Sequence, residues 1–206
     1  QDHEAAFKAA KEALLLFRSI YDDDAVADTL RLLVHSLRTR MDAMRFEQDD
    51  FGLRETCRIA EKMADDHAAL FRGSGDPRSL GSMLLATAEV HFHRGTPEHR
   101  PLAEQSALEA LKLFRETADE RLEAHALLLL AHIHGRDGSA EAVTEARKAQ
   151  DHFRGAGDRS GEARSLHALG FALRGCKAMD DAVAAVKGAL ALLRELRRDR
   201  LVALEL

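Results

Sequence analysis

A short motif recurs along the chain at nearly regular intervals. Each copy has an apolar residue followed by arginine, and an aspartate comes after three further residues. The copies begin at Phe17, Phe71, Phe114, Phe153 and Leu193, and in the last copy the aspartate comes one residue late. The successive intervals are 54, 43, 39 and 40 residues. A chain that repeats itself at such a period is predicted to stack copies of one supersecondary unit.

The residues between two copies of the motif follow the period of an α-helix. After Asp158, apolar or small residues fall at Ala163, Leu166, Leu169 and Leu173. Steps of three and four residues place such side chains on one face of a helix. A second amphipathic stretch follows in each repeat and ends at the next copy of the motif. Each repeat is therefore predicted to be a pair of antiparallel helices, the unit of a helical solenoid.

Glycine, aspartate and proline mark the ends of the predicted helices. In residues 73–76 and 155–158, glycines precede an aspartate. This order supplies a left-handed stop for one helix and an N-cap for the next. Pro77 falls at a first helical position, where a missing N–H is tolerated. The glycines that begin and end residues 135–138 separate another pair of helices.

The composition favours an all-α fold and argues against binding to nucleic acid. Hydrophobic residues make up 46% and charged residues 32% of the 206-residue chain, as in globular proteins. Alanine, leucine, glutamate and arginine favour helices, and proline occurs only three times. The net charge of −5 and the pI near 6.1 contrast with the basic balance usual in nucleic-acid binders. The overall charge therefore argues against a nucleic-acid partner, although it leaves room for a local basic patch.

Membrane insertion and a disulfide framework are not expected from the sequence. The longest apolar run, residues 126–131, is far shorter than the roughly 20 residues of a membrane-spanning helix. Cys57 and Cys176 are far apart in the chain and form no CxxC motif. Free thiols in a reducing compartment are the simpler interpretation, so we expect a cytoplasmic chain without membrane contact.

The stretch 169–190 resembles the tetratricopeptide repeat. Gly170 matches the small residue of that family's first helix, and Ala182 and Ala189 match its two second-helix alanines. The two preceding repeats have small residues at the same positions, namely Ala131, Ala142 and Ala149, and Ala88, Ala103 and Ala110. The period departs from the family's usual repeat of about 34 residues. The chain also lacks the family's tryptophan and the proline after the second helix.

The resemblance implies an all-α fold, a right-handed α-solenoid of antiparallel helix pairs that form a tetratricopeptide-like superhelix. It covers most of residues 1–206, which we expect to be a single domain. The outer repeats look incomplete, because Ala6 and Ala13 match second-helix positions and residues 201–206 resemble a lone first helix. We therefore expect a piece of a larger protein whose exposed repeat ends are available for self-association.

The first interval, 54 residues, is longer than the others. The simplest arrangement lengthens both helices of the pair around residues 24–72 by about two turns each. The alternative is an irregular loop between helices of ordinary length. The apolar spacing of Met41 and Met44, with Phe46 and Phe51, favours a projecting helical hairpin.

In tetratricopeptide arrays the first helices line a concave groove that binds a partner segment. Alignment with the family implies these groove positions: Arg31, His35, Arg38, Leu85, Glu89, Phe92, His93, His125, Leu128, His132, Arg136, Arg164, His167, Phe171 and Arg174. Asp28 and Ser82 fall in the same alignment. Five arginines outnumber two carboxylates in this set, so we expect a protein or peptide partner that is acidic. Phe92 and Phe171 would add apolar anchors.

The resemblance implies a non-catalytic protein–protein interaction scaffold, and it leaves alternatives open. Arginine and histidine on a helix face are often simply solvated. The lysine and asparagine of the family's two-carboxylate clamp are missing, so a clamp for a chaperone C-terminus is not expected. An alternative function is docking within the parent chain, or self-association, to organise a large regulatory or biosynthetic assembly.

Catalytic and metal-binding motifs do not occur in the sequence. The chain has no G-x-S-x-G, phosphate-loop or H-E-x-x-H pattern, so we expect no enzyme and no cofactor. The densest histidine group is His91, His93 and His99. Residues two apart on a helix point to different faces, so His91 and His93 converge poorly on one ion. We therefore predict no metal site.

Overall fold

The computed structural model describes residues 8–9, 12–16, 19, 23–47 and 50–196, without the side chains of 23, 38–40, 42–47 and 50. The elements in this part of the chain are α1 (Asp23–Glu47), α2 (Asp50–Ser74), α3 (Pro77–Arg94), α4 (His99–Glu116), α5 (Glu120–Gly135), α6 (Ala140–Gly155), α7 (Arg159–Gly175) and α8 (Met179–Glu195). The predicted all-α fold is confirmed. Ala6 and residues 201–206 lie outside the described residues.

The chain divides into two compact units, a first unit of residues 1–118 and a second unit of residues 119–206. In the first unit, α1 contacts α2, α2 contacts α3 and α3 contacts α4, and α1 also contacts α3. In the second unit, α5 to α8 pack in the same order, and α5 also contacts α7. In the part of each unit that the structure describes, there are therefore two helix pairs whose first helices are neighbours. The single domain over residues 1–206 stays a prediction.

The first helix pair accounts for the long repeat interval. α1 and α2 have 25 residues each, whereas the helices of the later pairs have 16 to 18. The extra residues are therefore helical and do not form an irregular loop. Cys57 Sγ lies 3.7 Å from Met41 Sδ in the buried core between the two helices. The side chains of Met44 and Phe46, on which the projecting hairpin was predicted, are outside the described set.

The turns between helices form as the sequence indicates. Asp76 accepts hydrogen bonds from two backbone N–H groups at the start of α3, and Pro77 follows at the first helical position. Asp119 and Asp158 cap α5 and α7 through their side chains. Gly75 has a φ of 74°, in the left-handed region that ends many helices. These caps satisfy backbone donors that a helix start leaves unpaired.

Four of the five copies of the repeated motif begin within the described residues, and each of these closes the core at the end of a second helix. Their apolar residues Phe71, Phe114, Phe153 and Leu193 are 6%, 0%, 1% and 4% exposed, respectively. The arginine that follows stays at the surface, and Arg154 Nε lies 2.8 Å from Glu162 Oε1 on the next helix. The motif therefore has a structural role, because its apolar residue closes the core at the end of a helix.

The small residues shared with tetratricopeptide repeats lie where helices pack closely. The alanines Ala103, Ala110, Ala142, Ala149 and Ala189 are fully buried. A Cβ added to Gly170 would lie 2.6 Å from Cγ2 of Val186, too close for two carbon atoms. The approach of α7 to α8 therefore depends on the missing side chain of Gly170.

We expect Ala118→Gly and Lys177→Gly to raise the free energy of unfolding by about 0.5–1 kcal/mol each. Ala118 follows the end of α4 and has a φ of 53°, and Lys177 follows the end of α7 and has a φ of 63°. Glycine adopts this conformation without the Cβ clash, which outweighs its greater freedom in the unfolded chain. Urea denaturation followed by circular dichroism measures the change. Ala156→Gly is the control, because Ala156 has a φ of −79° and no strain to relieve. Equal effects at all three positions would contradict the explanation.

Candidate partner-binding site

Three charged positions aligned in the first unit, Asp28, Arg31 and Glu89, pair with neighbouring helices. Arg31 Nη2 on α1 lies 3.6 Å from Glu89 Oε1 on α3, and these side chains are only 17% and 15% exposed. Asp28 binds Arg78 Nη2 at 3.2 Å. The charge of this part of the predicted groove is therefore largely neutralised within the protein. Nε of Arg31 is buried and has no hydrogen-bond partner among the described residues.

Leu85 and Leu128 are core residues and not exposed groove residues, which corrects the alignment. Leu85 is 0% and Leu128 is 6% exposed. Leu85 lies on α3. This helix contacts α1, α2 and α4, so three helices cover it. Ser82 on the same helix is fully buried as well. Leu128 belongs to a run of buried residues, 126–131, on α5, which packs against α6 and α7.

The remaining predicted positions of the first unit are partly accessible. His35, Phe92 and His93 are half-buried. The rings of Phe92 and His93 meet edge to face, with centroids 5.7 Å apart. The backbone of Arg38 lies in α1, but its side chain is outside the described residues. The aligned side chains that the structure describes in this unit thus offer an aromatic contact with little net charge.

The predicted positions of the second unit come together on α5 and α7, which lie side by side. We call this surface the α5–α7 face, formed by His125, His132, Arg136, Arg164, His167, Phe171 and Arg174. Arg164 Nη2 lies 3.1 Å from Nδ1 of His125 on the facing helix. The rings of His132 and His167 lie 6.2 Å apart between their centroids. The alignment therefore brought together residues that are neighbours in space.

One end of the α5–α7 face combines an aromatic ring with exposed cations. The guanidinium carbon of Arg174 lies 4.9 Å from the ring centroid of Phe171, within the range of a cation–π contact. Gly135 on α5 makes room for that ring, because a Cβ there would lie 2.9 Å from Cδ1 of Phe171. Arg136 follows Gly135, and the side chains of Arg136 and Arg174 are exposed. Phe171 itself is half-buried.

The other end of the α5–α7 face rests on a buried ring from α6. Phe153 meets the ring of His125 edge to face at 5.1 Å. The guanidinium of Arg164 lies 5.9 Å from the Phe153 centroid. The buried ring of Phe153 therefore packs against both polar side chains, His125 and Arg164, on the side facing the core. This supporting role is one that the sequence did not predict, although the repeated motif contains the residue.

The α5–α7 face is chemically suited to bind carboxylates. Its members include three arginines and three histidines, and none of them is acidic. Guanidinium groups donate paired hydrogen bonds that match the two oxygens of a carboxylate. This local excess of positive charge stands on a chain whose net charge is −5.

A second polar cluster lies in the first unit and was missed by the sequence analysis. Glu61 on α2, His91 on α3 and His99 on α4 each offer one ligand atom, and these atoms lie within 4.8 Å of one another. His93, which the sequence grouped with His91 and His99, does not belong to the cluster. The spacing rule separated His91 from His93 correctly. The rule did not predict that His99, which begins α4 after the turn at residues 95–98, lies close to His91.

Sequence comparisons with known proteins give no match, and structural comparisons do. No protein-family model matches the chain, and no curated protein matches it in sequence. The chain is similar in structure to BtubC (BKLC) from P. vanneervenii, with 18% identity, a TM-score of 0.58, and coverage of 95% of this chain and 75% of that chain. It is also similar to the de novo designed helical repeat protein DHR81, with 19% identity, a TM-score of 0.55, and coverage of 91% and 94%.

The fold is that of a helical repeat protein. Identities this low carry the fold alone and say nothing of a partner, so the α-solenoid class is the conclusion that the two neighbours support. Among the described residues, no helix has the length and apolar character needed to cross a membrane. Both cysteines are free thiols, with Cys57 buried and Cys176 exposed.

Proposed function

We propose that the chain is a non-catalytic protein–protein interaction scaffold of the tetratricopeptide type, and that the α5–α7 face binds an acidic peptide segment. The observation that carries the proposal is the pairing of two neighbouring first helices that present arginines and no carboxylate at the aligned positions. The structural neighbours agree with a scaffold, because helical repeats commonly present extended binding surfaces. We also propose a cytoplasmic location, supported by the two free thiols.

The α5–α7 face offers an acidic peptide two different kinds of contact. Arg136 and Arg174 are exposed, and each can pair with a carboxylate. An exposed ion pair contributes only about 0.2–1 kcal/mol, so charge pairs alone give weak binding. Phe171 adds a partly buried aromatic surface, which is the type of side chain that dominates interface energies. We therefore expect the best ligands to combine glutamate or aspartate with an apolar residue.

The experiment measures binding of a fluorescein-labelled, glutamate-rich peptide with one leucine, by fluorescence anisotropy. We expect Arg136→Glu with Arg174→Glu to weaken binding by about tenfold or more, because each attractive contact becomes a repulsion. The matched control is Arg147→Glu with Lys187→Glu. It makes the same change in net charge at exposed positions of α6 and α8. The control variant is expected to bind within about threefold of the parent protein.

The comparison between the two variants decides the proposal. If both variants weaken binding equally, the peptide senses net charge only, and recognition by the α5–α7 face is wrong. If neither does, the peptide binds elsewhere. A lysine-rich peptide of equal length serves as the negative probe. Once a peptide class is established, capture from the source cells with the same variants would identify the natural partner.

The second candidate function is docking within a parent chain or self-association. Exposed apolar side chains of the first unit favour it, since Leu32, Phe51 and Leu70 are 61%, 76% and 65% exposed. Large exposed apolar residues often mark interaction surfaces. A molecular mass that rises with protein concentration in analytical ultracentrifugation, and falls in a Leu32→Ser, Leu70→Ser variant, would favour self-association over peptide binding.

A further inference from the structure

The cluster of Glu61, His91 and His99 joins three helices of the first unit. It takes one residue from each of α2, α3 and α4, and its candidate ligand atoms lie within 4.8 Å of one another. Two imidazole nitrogens and one carboxylate oxygen are a donor set that zinc proteins use. None of these residues belongs to the α5–α7 face. The proposed peptide binding therefore does not explain the cluster.

His91 presents a buried nitrogen to the cluster. The residue is 7% exposed, and its Nδ1 has no hydrogen-bond partner among the described residues. Glu61 Oε1 lies 3.7 Å from this Nδ1, which is too long for a hydrogen bond. Burial lowers the pKa of His91, while the nearby Glu61 carboxylate acts in the opposite direction. Nδ1 of His91 is therefore a buried ligand atom that has no hydrogen bond to lose among the described residues when a metal ion binds.

His99 is held so that its second nitrogen faces the cluster. Nδ1 of His99 lies 2.7 Å from Oγ1 of Thr96, and its Nε2 contacts Nη1 of Arg94. A guanidinium can only donate, so Nε2 accepts and carries a lone pair. The proton is then on Nδ1, which donates to Thr96. Metal-binding histidines are commonly fixed in this way by a hydrogen bond to the other ring nitrogen.

Arg94 lies among the three residues as an internal cation. Its Nη2 is 3.2 Å from Oε2 of Glu61, and its Nη1 contacts His99. The guanidinium thus satisfies two members of the cluster and leaves Nδ1 of His91 without a hydrogen bond. A spherical cation could reach all three. Arg94, Thr96 and His99 also line a cavity of about 610 Å³, which provides an entry path and space for a displaced arginine.

We propose that Glu61, His91 and His99 bind a divalent transition-metal ion, with Zn²⁺ as the ion that best fits this donor set, and that Arg94 moves into the adjacent cavity when the ion binds. Tetrahedral coordination at ordinary Zn–N and Zn–O lengths places ligand atoms about 3.3 Å apart. Small side-chain rotations bring the three atoms to that separation. Water completes the coordination, and the ion then links α2, α3 and α4.

The test uses Co²⁺ as a visible probe of tetrahedral coordination, followed by displacement with Zn²⁺, on untagged protein. We expect one Co²⁺ ion to produce intense visible absorption in the parent protein. His99→Ala is expected to weaken binding by roughly 100-fold or more, since loss of a mere outer-shell partner already costs 10–100-fold. Arg94→Met is expected to tighten binding by about tenfold, because two ligands no longer give up hydrogen bonds to a charged group.

His152→Ala is the matched control, because His152 is a histidine of the second unit that belongs neither to the cluster nor to the α5–α7 face. It should leave Co²⁺ affinity unchanged. Absence of the visible absorption in the parent protein overturns the proposal, as does equal affinity in His99→Ala. Circular dichroism checks that each variant is folded. Should His99→Ala fail to fold, Glu61→Gln at a half-buried position provides the same comparison. Zn²⁺ should also raise the melting temperature of the parent protein, and not that of the ligand variant.

Discussion

Replacing Phe153 by alanine is expected to lower the free energy of unfolding of the second unit by about 3–5 kcal/mol. Phe153 is 1% exposed and is among the largest fully buried side chains of the described residues. Its ring lies against Gly161 of α7, where an added Cβ would come within 2.3 Å of it. Because glycine has no side chain that could move into the vacated space, the cavity is expected to persist. Urea denaturation by circular dichroism, with hydrogen exchange of residues 119–196, measures the loss.

Val183→Ala is the control for the Phe153 prediction. Val183 lies on α8 of the same unit and is 49% exposed, so its truncation should cost less than about 0.5 kcal/mol. A comparable loss in both variants would mean that the second unit has no tightly packed centre at Phe153.

Phe153→Ala should also weaken binding of the acidic peptide, because the Phe153 ring contacts His125 and Arg164 of the α5–α7 face. Peptide binding that survives unchanged would place the peptide at the Phe171 end of the face.

The repeat motif was sufficient to predict the helix pairs because its parts have separate physical effects. Apolar residues such as Phe114 end a helix in the core, glycines such as Gly75 stop the helix, and aspartates such as Asp119 start the next one. These effects are local in the chain, so spacing alone reveals them. The long first pair followed from the same logic, because an interval of 54 residues has room for two longer helices.

The candidate binding positions were predicted less well because their exposure depends on the packing of several helices. Alignment placed Leu85 on a groove face, but α3 touches three other helices and Leu85 is fully buried. It placed Arg31 and Glu89 on a common face without indicating that they bind each other. On α5 and α7 the aligned residues Arg164 and His125 are in contact, and their role in binding stays a prediction. Contacts between helices are set by crossing geometry, which a repeat period does not contain.

The histidine cluster shows a further limit of reasoning from spacing. Helical periodicity relates residues on one helix, and by that rule His91 and His93 do not converge. His99 begins the next helix, and the connection of residues 95–98 folds it back towards His91. Glu61 comes from the preceding helix, 30 positions before His91. The cluster therefore forms because of the geometry of a turn and the contact with a neighbouring helix, and helical spacing predicts neither of them.

Glu89→Ala is expected to lower the free energy of unfolding of the first unit by about 3 kcal/mol. The variant leaves the guanidinium of Arg31 largely buried without its carboxylate partner. One nitrogen of that guanidinium, Nε, already has no hydrogen-bond partner among the described residues. Without the Glu89 carboxylate, the positive charge of the buried guanidinium is also uncompensated, which adds to the free-energy cost of burying Arg31. The value lies at the lower end for buried pairs because both side chains keep 15–17% of their surface exposed. Chemical denaturation at low and high salt measures it.

The double variant Arg31→Leu with Glu89→Leu separates the cost of an unpaired charge from the value of the pair. Replacing both members of a buried ion pair with apolar residues is often neutral or stabilising. We therefore expect the double variant to recover most of the stability that Glu89→Ala loses. Recovery would mean that Glu89→Ala loses stability because Arg31 is left unpaired, and that the ion pair itself adds little net stability. A double variant as unstable as Glu89→Ala would show that the pair contributes net stability. In that case its retention needs no functional reason.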